Sequence, residues 1–149
     1  MFARILVPID VSDPDVAREA VEVATSLAKT YDSEIRLISI INPIVPVSPM
    51  DVVPQAYYES LGTYEHLELE KIAAKVDRPK EKVSTALREG GTYPELLAAA
   101  DEWKAELIII GAHKRSMASY LLGSTAAAVV RHATCPVLVL RSAKKASIL

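Results

Sequence analysis

The sequence predicts an α/β domain built on a mostly parallel sheet covered by helices. Three observations carry this expectation. Five short apolar runs alternate along the chain with stretches of helical spacing. Half the residues are hydrophobic, yet only one Trp and one Phe are present, so the core must be aliphatic, as in buried parallel strands. Cap and turn residues punctuate the boundaries between the runs.

Residues 5–9 form the first apolar run, with Pro8 near its end, and read as a buried strand that stops at Asp10. Asp13 is placed to cap the next helix, because Pro14 then falls at a first helical position that needs no N–H. Val16, Ala20, Val21, Ala24, Leu27 and Ala28 follow at helical spacing, and that helix ends near Thr30. The second strand is Glu34–Ile41. Between residues 42 and 54 the chain carries Pro43, Pro46, Pro49 and Pro54, which neither a helix nor a strand interior tolerates. A long loop of this kind is often functional or mobile.

A helix over 55–76 follows, with Leu61, Leu67, Leu69, Ile72, Ala73 and Val76 as its expected apolar contributors; Asp77, Arg78 and Pro79 end it. Residues 83–87 make a third strand, and Gly90 and Gly91 a turn. Tyr93 and Pro94 open a helix carrying Leu96, Leu97, Ala100 and Trp103. Residues 107–110 are the fourth strand. After a basic, hydroxylic loop, a helix presents Ala126, Val129, Val130 and Ala133 on one face, with Ser124 or Thr125 as its expected cap. Val137–Leu140 is the fifth strand. One domain spans 1–142, and residues 143–149 read as a frayed tail. The repeated strand–helix order implies right-handed crossovers.

Composition narrows the function. A chain of 149 residues buries about 70% of its unfolded surface without a disulfide or metal. The formal net charge of −2 gives no broad attraction to nucleic acid. The single Cys135 excludes an internal disulfide framework and reads as a small buried residue. The N-terminus lacks the basic, apolar and cleavage regions of a signal peptide, and no window approaches the length of a membrane span. Together these features read as a cytoplasmic protein without a nucleic-acid or membrane partner.

Ligands of open α/β sheets sit beyond the carboxyl ends of the strands, where strand order reverses. Two strand ends carry suitable chemistry. The first ends in Pro8, Ile9 and Asp10, whose carboxylate can accept hydrogen bonds from ribose hydroxyls or simply serve a turn. The fourth ends at Gly111, where the missing side chain admits close approach. Beyond it, Gly123, Ser124 and Thr125 precede an Ala- and Val-rich helix whose first amides attract anions; plain capping is the other use of the same residues. His113, Lys114 and Arg115 in the intervening loop can neutralise phosphate or form a solvated run. Arg131 and His132 sit where cations favour a helix C-terminus. GxxxxGK[ST], GxSxG and HExxH are all absent, and no base stands beside a nucleophile. The sequence therefore supports binding better than catalysis.

Over nearly its full length the chain resembles the universal stress proteins. ILVPIDVSD resembles that family's first strand and turn, and IIIGAHKRSMASYLLGSTAAAVVRHATCPVLVLR its last strand–loop–helix–strand unit. The F/G-type single-domain bacterial members, with a YLLGSxAAAVVRHA segment, are the most similar. The resemblance implies a five-stranded parallel sheet in the order 3-2-1-4-5 with helices on both faces. It also implies an adenine-nucleotide ligand, ATP or AMP with or without Mg, used in stress response or signalling. Pro8, Ile9 and Asp10 would line the adenosine side, with Asp10 on the ribose; Ile40 would meet adenine; Ile110 and Gly111 would pack on the nucleotide; Gly123, Ser124 and Thr125 would hold phosphates. In the family's nucleotide pattern, GxxG and nine residues precede G[ST]. Here Lys114 replaces the second glycine, and only eight residues, 115–122, follow. Lys114 either adds bulk where backbone would touch phosphate or supplies a phosphate contact. A homodimer through Val137–Leu140, or a tetramer, is implied, since a free apolar edge strand invites aggregation. Two other readings stay open: an interaction module of the same fold without nucleotide, and a very slow ATPase.

Overall fold

A computed structural model describes residues 1–43, 48, 50, 52–112 and 122–141. The elements are β1 (Arg4–Pro8), α1 (Pro14–Tyr31), β2 (Glu34–Ile41), α2 (Gln55–Ala74), β3 (Val83–Glu89), α3 (Thr92–Trp103), β4 (Leu107–Gly111), α4 (Ser124–His132) and β5 (Val137–Leu140). A short 3₁₀ turn, Lys80–Lys82, leads into β3. All neighbouring strands are parallel, in the order β3-β2-β1-β4-β5. The order reverses between β1 and β4, which opens a crevice at their carboxyl ends.

Alternation along the strands divides the core in two. Ile5, Val7, Ile35, Leu37, Leu107 and Ile109 face α1 and α2, meeting Ala17, Ala20, Ala24, Ala28 and Leu69. Leu6, Ile38, Ile108 and Ile110 face α3 and α4, meeting Leu96, Ala99, Ala100, Ala126 and Val129. The alanine stripe of α1 lets that helix lie close to the sheet. Asp13 caps α1 as expected: its side chain accepts from the Val16 amide, and Pro14 opens the helix.

Several expectations shift. β1 begins and ends one residue earlier than predicted, although Ile9 is still buried and its N–H still bonds the Ile38 carbonyl at 2.8 Å. β3 runs on to Glu89 and β4 to Gly111. α2 stops at Ala74, but Val76 is buried beyond it. Thr92, ahead of Tyr93 and Pro94, opens α3. Leu67 and Val130 are not core residues; they are 55% and 49% exposed. Cys135 is half-buried, and that burial raises its thiol pKa above the ordinary value. Residues 143–149, assigned to a frayed tail, lie outside the described residues.

Gly90 turns the chain into α3 at φ 144, where a Cβ would stand 2.8 Å from the Glu95 side chain. α1 ends at Asp32, in the left-handed conformation, with its carboxylate held by Arg78 at 2.8 Å and Lys82 at 3.6 Å. The Arg78 hydrogen bond and then the Lys82 charge hold the Asp32 carboxyl below its usual range. A depressed carboxyl pKa adds stability above the unfolded-state value, and that stability is lost as pH falls through the folded one. The urea midpoint of the wild type should therefore fall more steeply below pH about 4 than that of Asp32→Asn, a residue that tolerates the same backbone. Parallel acid limbs for the two proteins would show that Asp32 adds nothing to acid stability.

Candidate functional site

A cleft of about 490 Å³ opens over the carboxyl ends of β1, β2 and β4. Its size is that of a small-molecule pocket. The floor is apolar: Ile9, Ile38, Ile110, Ala17 and Ala126 are all nearly or fully buried. Pro8, Ile9, Asp10, Ile40, Ile110, Gly111, Gly123, Ser124 and Thr125 line this one cleft, so nine of the predicted residues come together. The other three, His113, Lys114 and Arg115, lie outside the described residues.

At the end of β1 the chain turns sharply. The Asp10 carbonyl accepts from the Asp13 amide at 3.0 Å, and Asp10 Oδ1 accepts from both the N–H and the hydroxyl of Ser12. Asp10 thus performs the turn role open to it, with one oxygen. Its other oxygen, Oδ2, has no partner among the described residues.

Gly111 also has a second use. A Cβ there would stand 2.8 Å from Cγ1 of Val16, so the missing side chain lets α1 dock against the end of β4. Ala112 is pinned by a hydrogen bond from its N–H to the Leu140 carbonyl at 2.8 Å, and its own carbonyl accepts from Gly123 N–H. Ala112 and Gly123 therefore meet, and Gly123 is anchored beside β4.

The expected capping by Ser124 or Thr125 does not occur. Gly123 is the N-cap, at φ −61 and ψ 156, and no side chain caps the helix. The helix begins one residue earlier than a Ser124 cap requires, which places Ser124 and Thr125 in its first turn. The Ala127 amide is the first to find a carbonyl in the helix, at 2.9 Å to Gly123. The amides of Ser124, Thr125 and Ala126 thus have no acceptor within α4 and carry its positive partial charge. Two hydroxyls stand beside them.

Five polar lining residues lay outside the sequence-based set: Asp13, Ser39, Asn42, Glu65 and Thr92. The Thr92 hydroxyl donates to Asn42 Oδ1 at 3.0 Å, tying the start of α3 to the end of β2. The Ser39 hydroxyl donates to Glu65 Oε2 at 2.7 Å. Ser39, a lone polar residue in the run LISII, was the one available sequence signal. The charged groups among the described lining residues are Asp10, Asp13 and Glu65, all acidic. No group of three or more His, Cys, Asp or Glu suited to a metal occurs among the described residues. No helix among them is long and apolar enough to cross a membrane.

A sequence profile described as the universal stress protein family matches residues 1–141. A universal stress protein of Methanocaldococcus jannaschii is 33% identical, over 97% of this chain and 85% of its own. Universal stress protein G of Salmonella typhimurium is 29% identical, over 95% of this chain and all of its own. A universal stress protein crystallised in complex with cAMP shares the fold, with a TM-score of 0.61 and 22% identity over 95% of this chain and 99% of that one.

Proposed function

Because the chain belongs to the universal stress protein family, and resembles its G-type bacterial members, we propose that the strand-end cleft binds an adenine nucleotide, ATP or AMP, as a regulatory ligand. The observation that carries this reading is the shared lining: an Asp10 carboxylate with one oxygen unpartnered among the described residues, and first-turn residues of α4 whose amides have no acceptor within the helix, line the same apolar-floored cavity. The parts follow the strand order. Ile40 on β2 meets the base, Asp10 on β1 accepts from the ribose hydroxyls, and Gly123, Ser124 and Thr125 beside β4 receive the phosphates. Pro8, Ile9, Ile110 and Gly111 pack along the nucleotide. That a protein of the same fold has been crystallised with cAMP supports the ligand class.

The described lining is acidic, so a triphosphate needs cations from elsewhere. His113, Lys114 and Arg115 supply them in this reading, with Lys114 as a phosphate contact. Any Mg²⁺ arrives on the phosphates, since it needs only one or two protein carboxylates. Occupancy changes the 42–54 or 111–125 segment and thereby partner binding. The chain acts as an oligomer paired through Val137–Leu140, which is an edge of the sheet.

The acidic lining and the lysine in the glycine pattern favour a second reading, an oligomeric interaction module without nucleotide. The variant Asp10→Asn separates the two. Its Oδ1 keeps the Ser12 bonds, while an amide nitrogen replaces the second acceptor. AMP affinity measured by equilibrium dialysis should drop about tenfold or more, the worth of a lost hydrogen bond to a charged group. Unchanged AMP binding would remove Asp10 from the ribose; wild-type protein that binds neither ATP nor AMP would favour the interaction module.

A further inference from the structure

Glu65 stands in the row of α2 that packs toward the sheet. Leu69, one turn later on the same face, is fully buried against the sheet, and Leu61, one turn earlier, is half-buried. A carboxylate in such a row is costly unless it is hydrogen-bonded. Glu65 has a partner: the hydroxyl of Ser39, itself 3% exposed, donates to Oε2 at 2.7 Å. Both members are out of place by pattern, Ser39 in an aliphatic strand and Glu65 in a sheet-facing row, and each explains the other.

The pair is only half satisfied. An ionised carboxylate accepts several hydrogen bonds and donates none. Oε1 has no protein donor among the described residues, and Glu65 lines the cleft. The group therefore calls for a donor on the ligand. Its place along the cleft says which part of the ligand that is. The order β2, β1, β4 puts Glu65 and Ser39 at one end, Asp10 in the middle and the amides of α4 at the other. Two strand spacings separate the ends, roughly 10 Å. That span suits a nucleoside monophosphate with its phosphate on α4, its ribose on Asp10 and its base over β2.

We infer that Glu65, positioned by Ser39, selects purine nucleotides bearing a 6-amino group over those bearing a 6-oxo group. An exocyclic amine donates to Oε1. A carbonyl oxygen in its place would face a carboxylate and leave both acceptors unpaired, the kind of mismatch by which polar sites discriminate most strongly. The selectivity presupposes the nucleotide reading above and adds to it the choice of base.

The test is titration calorimetry of the intact chain with AMP and with IMP, ligands that share ribose and phosphate. Glu65→Gln is the matching variant: its amide oxygen can still accept from Ser39, while its NH₂ can donate to a carbonyl on the base. Circular dichroism checks that the variant is folded. The wild type should prefer AMP by about tenfold or more, the effect of one hydrogen bond to a charged group. In Glu65→Gln the two affinities should converge to within about threefold, through weaker AMP and stronger IMP binding. Wild-type protein that binds AMP and IMP alike, or a Gln variant that keeps the full preference for AMP, would overturn the role of Glu65 and leave nucleotide binding standing. A wild type that takes neither ligand would overturn both.

Discussion

Replacing Gly123 by valine should weaken ATP binding by about a hundredfold, roughly 3 kcal/mol, while adenosine binding stays within about threefold. The difference comes from where the residue sits. Gly123 is the N-cap of α4 and lies beside the three amides that have no acceptor within the helix. A branched side chain there fills the approach that a phosphate needs, but it leaves the end of the cleft over β1 and β2 untouched. The backbone does not object. Gly123 has φ −61 and ψ 156, an extended conformation open to any residue, and its N–H can still bond Ala112. Glycine is nonetheless a better N-cap than valine, so stability should fall by about 1 kcal/mol. Calorimetry with ATP and adenosine, beside thermal unfolding, reads all three quantities. Equal losses for ATP and adenosine would mean a collapsed cleft instead of a blocked phosphate site.

Leu6→Ala should cost about 3 kcal/mol, lowering the unfolding midpoint by about 10 °C. Leu6 is fully buried on the central strand and packs with Ile38, Leu96, Ile108 and Val129. Removing it leaves a void between the sheet and the α3–α4 layer, and the surrounding side chains belong to two strands and two helices that cannot all shift inward. Against a typical total stability of about 5–15 kcal/mol, the loss is large. Leu67→Ala is the comparison. That leucine is 55% exposed, so its truncation should change stability by no more than about 0.5 kcal/mol. Similar midpoints for the two variants would refute the placing of Leu6 in the core and Leu67 at the surface.

The contrast between those two leucines marks what a single sequence can and cannot reveal. The bounds of β2 and β5 and the start of α2 were legible because local chemistry sets them. Aliphatic runs define the strands, and the four prolines before residue 55 keep the helix from starting sooner. The exposure of Leu67 was not legible. α2 carries Tyr57, Tyr64 and Leu67 outward, so apolar residues appear all around the helix and spacing alone does not choose a face. Val130 fails in the same way: it borders the α4 stripe formed by Ala126 and Val129 but points to solvent.

The site divides along the same line. Asp10 and Gly123–Thr125 could be found because each follows a recognisable strand or opens a recognisable helix. Ser124 or Thr125 was expected to cap the helix, yet it starts one residue earlier, with Gly123 as cap, and neither hydroxyl is used in capping. Glu65 gave no signal of its own. Its meaning depends on Ser39, 26 residues away, and on a packing of α2 that spacing did not reveal. Asn42 and Thr92 met only through the fold, 50 residues apart.

Titration calorimetry of the wild-type chain with ATP at millimolar concentration tests most directly whether the strand-end cleft takes an adenine nucleotide in spite of Lys114 and the eight-residue spacing that follows it. Saturable heat with one nucleotide per chain is expected, with a matching rise in thermal midpoint as ligand binds the folded state. No heat and no thermal shift at that concentration would contradict nucleotide binding.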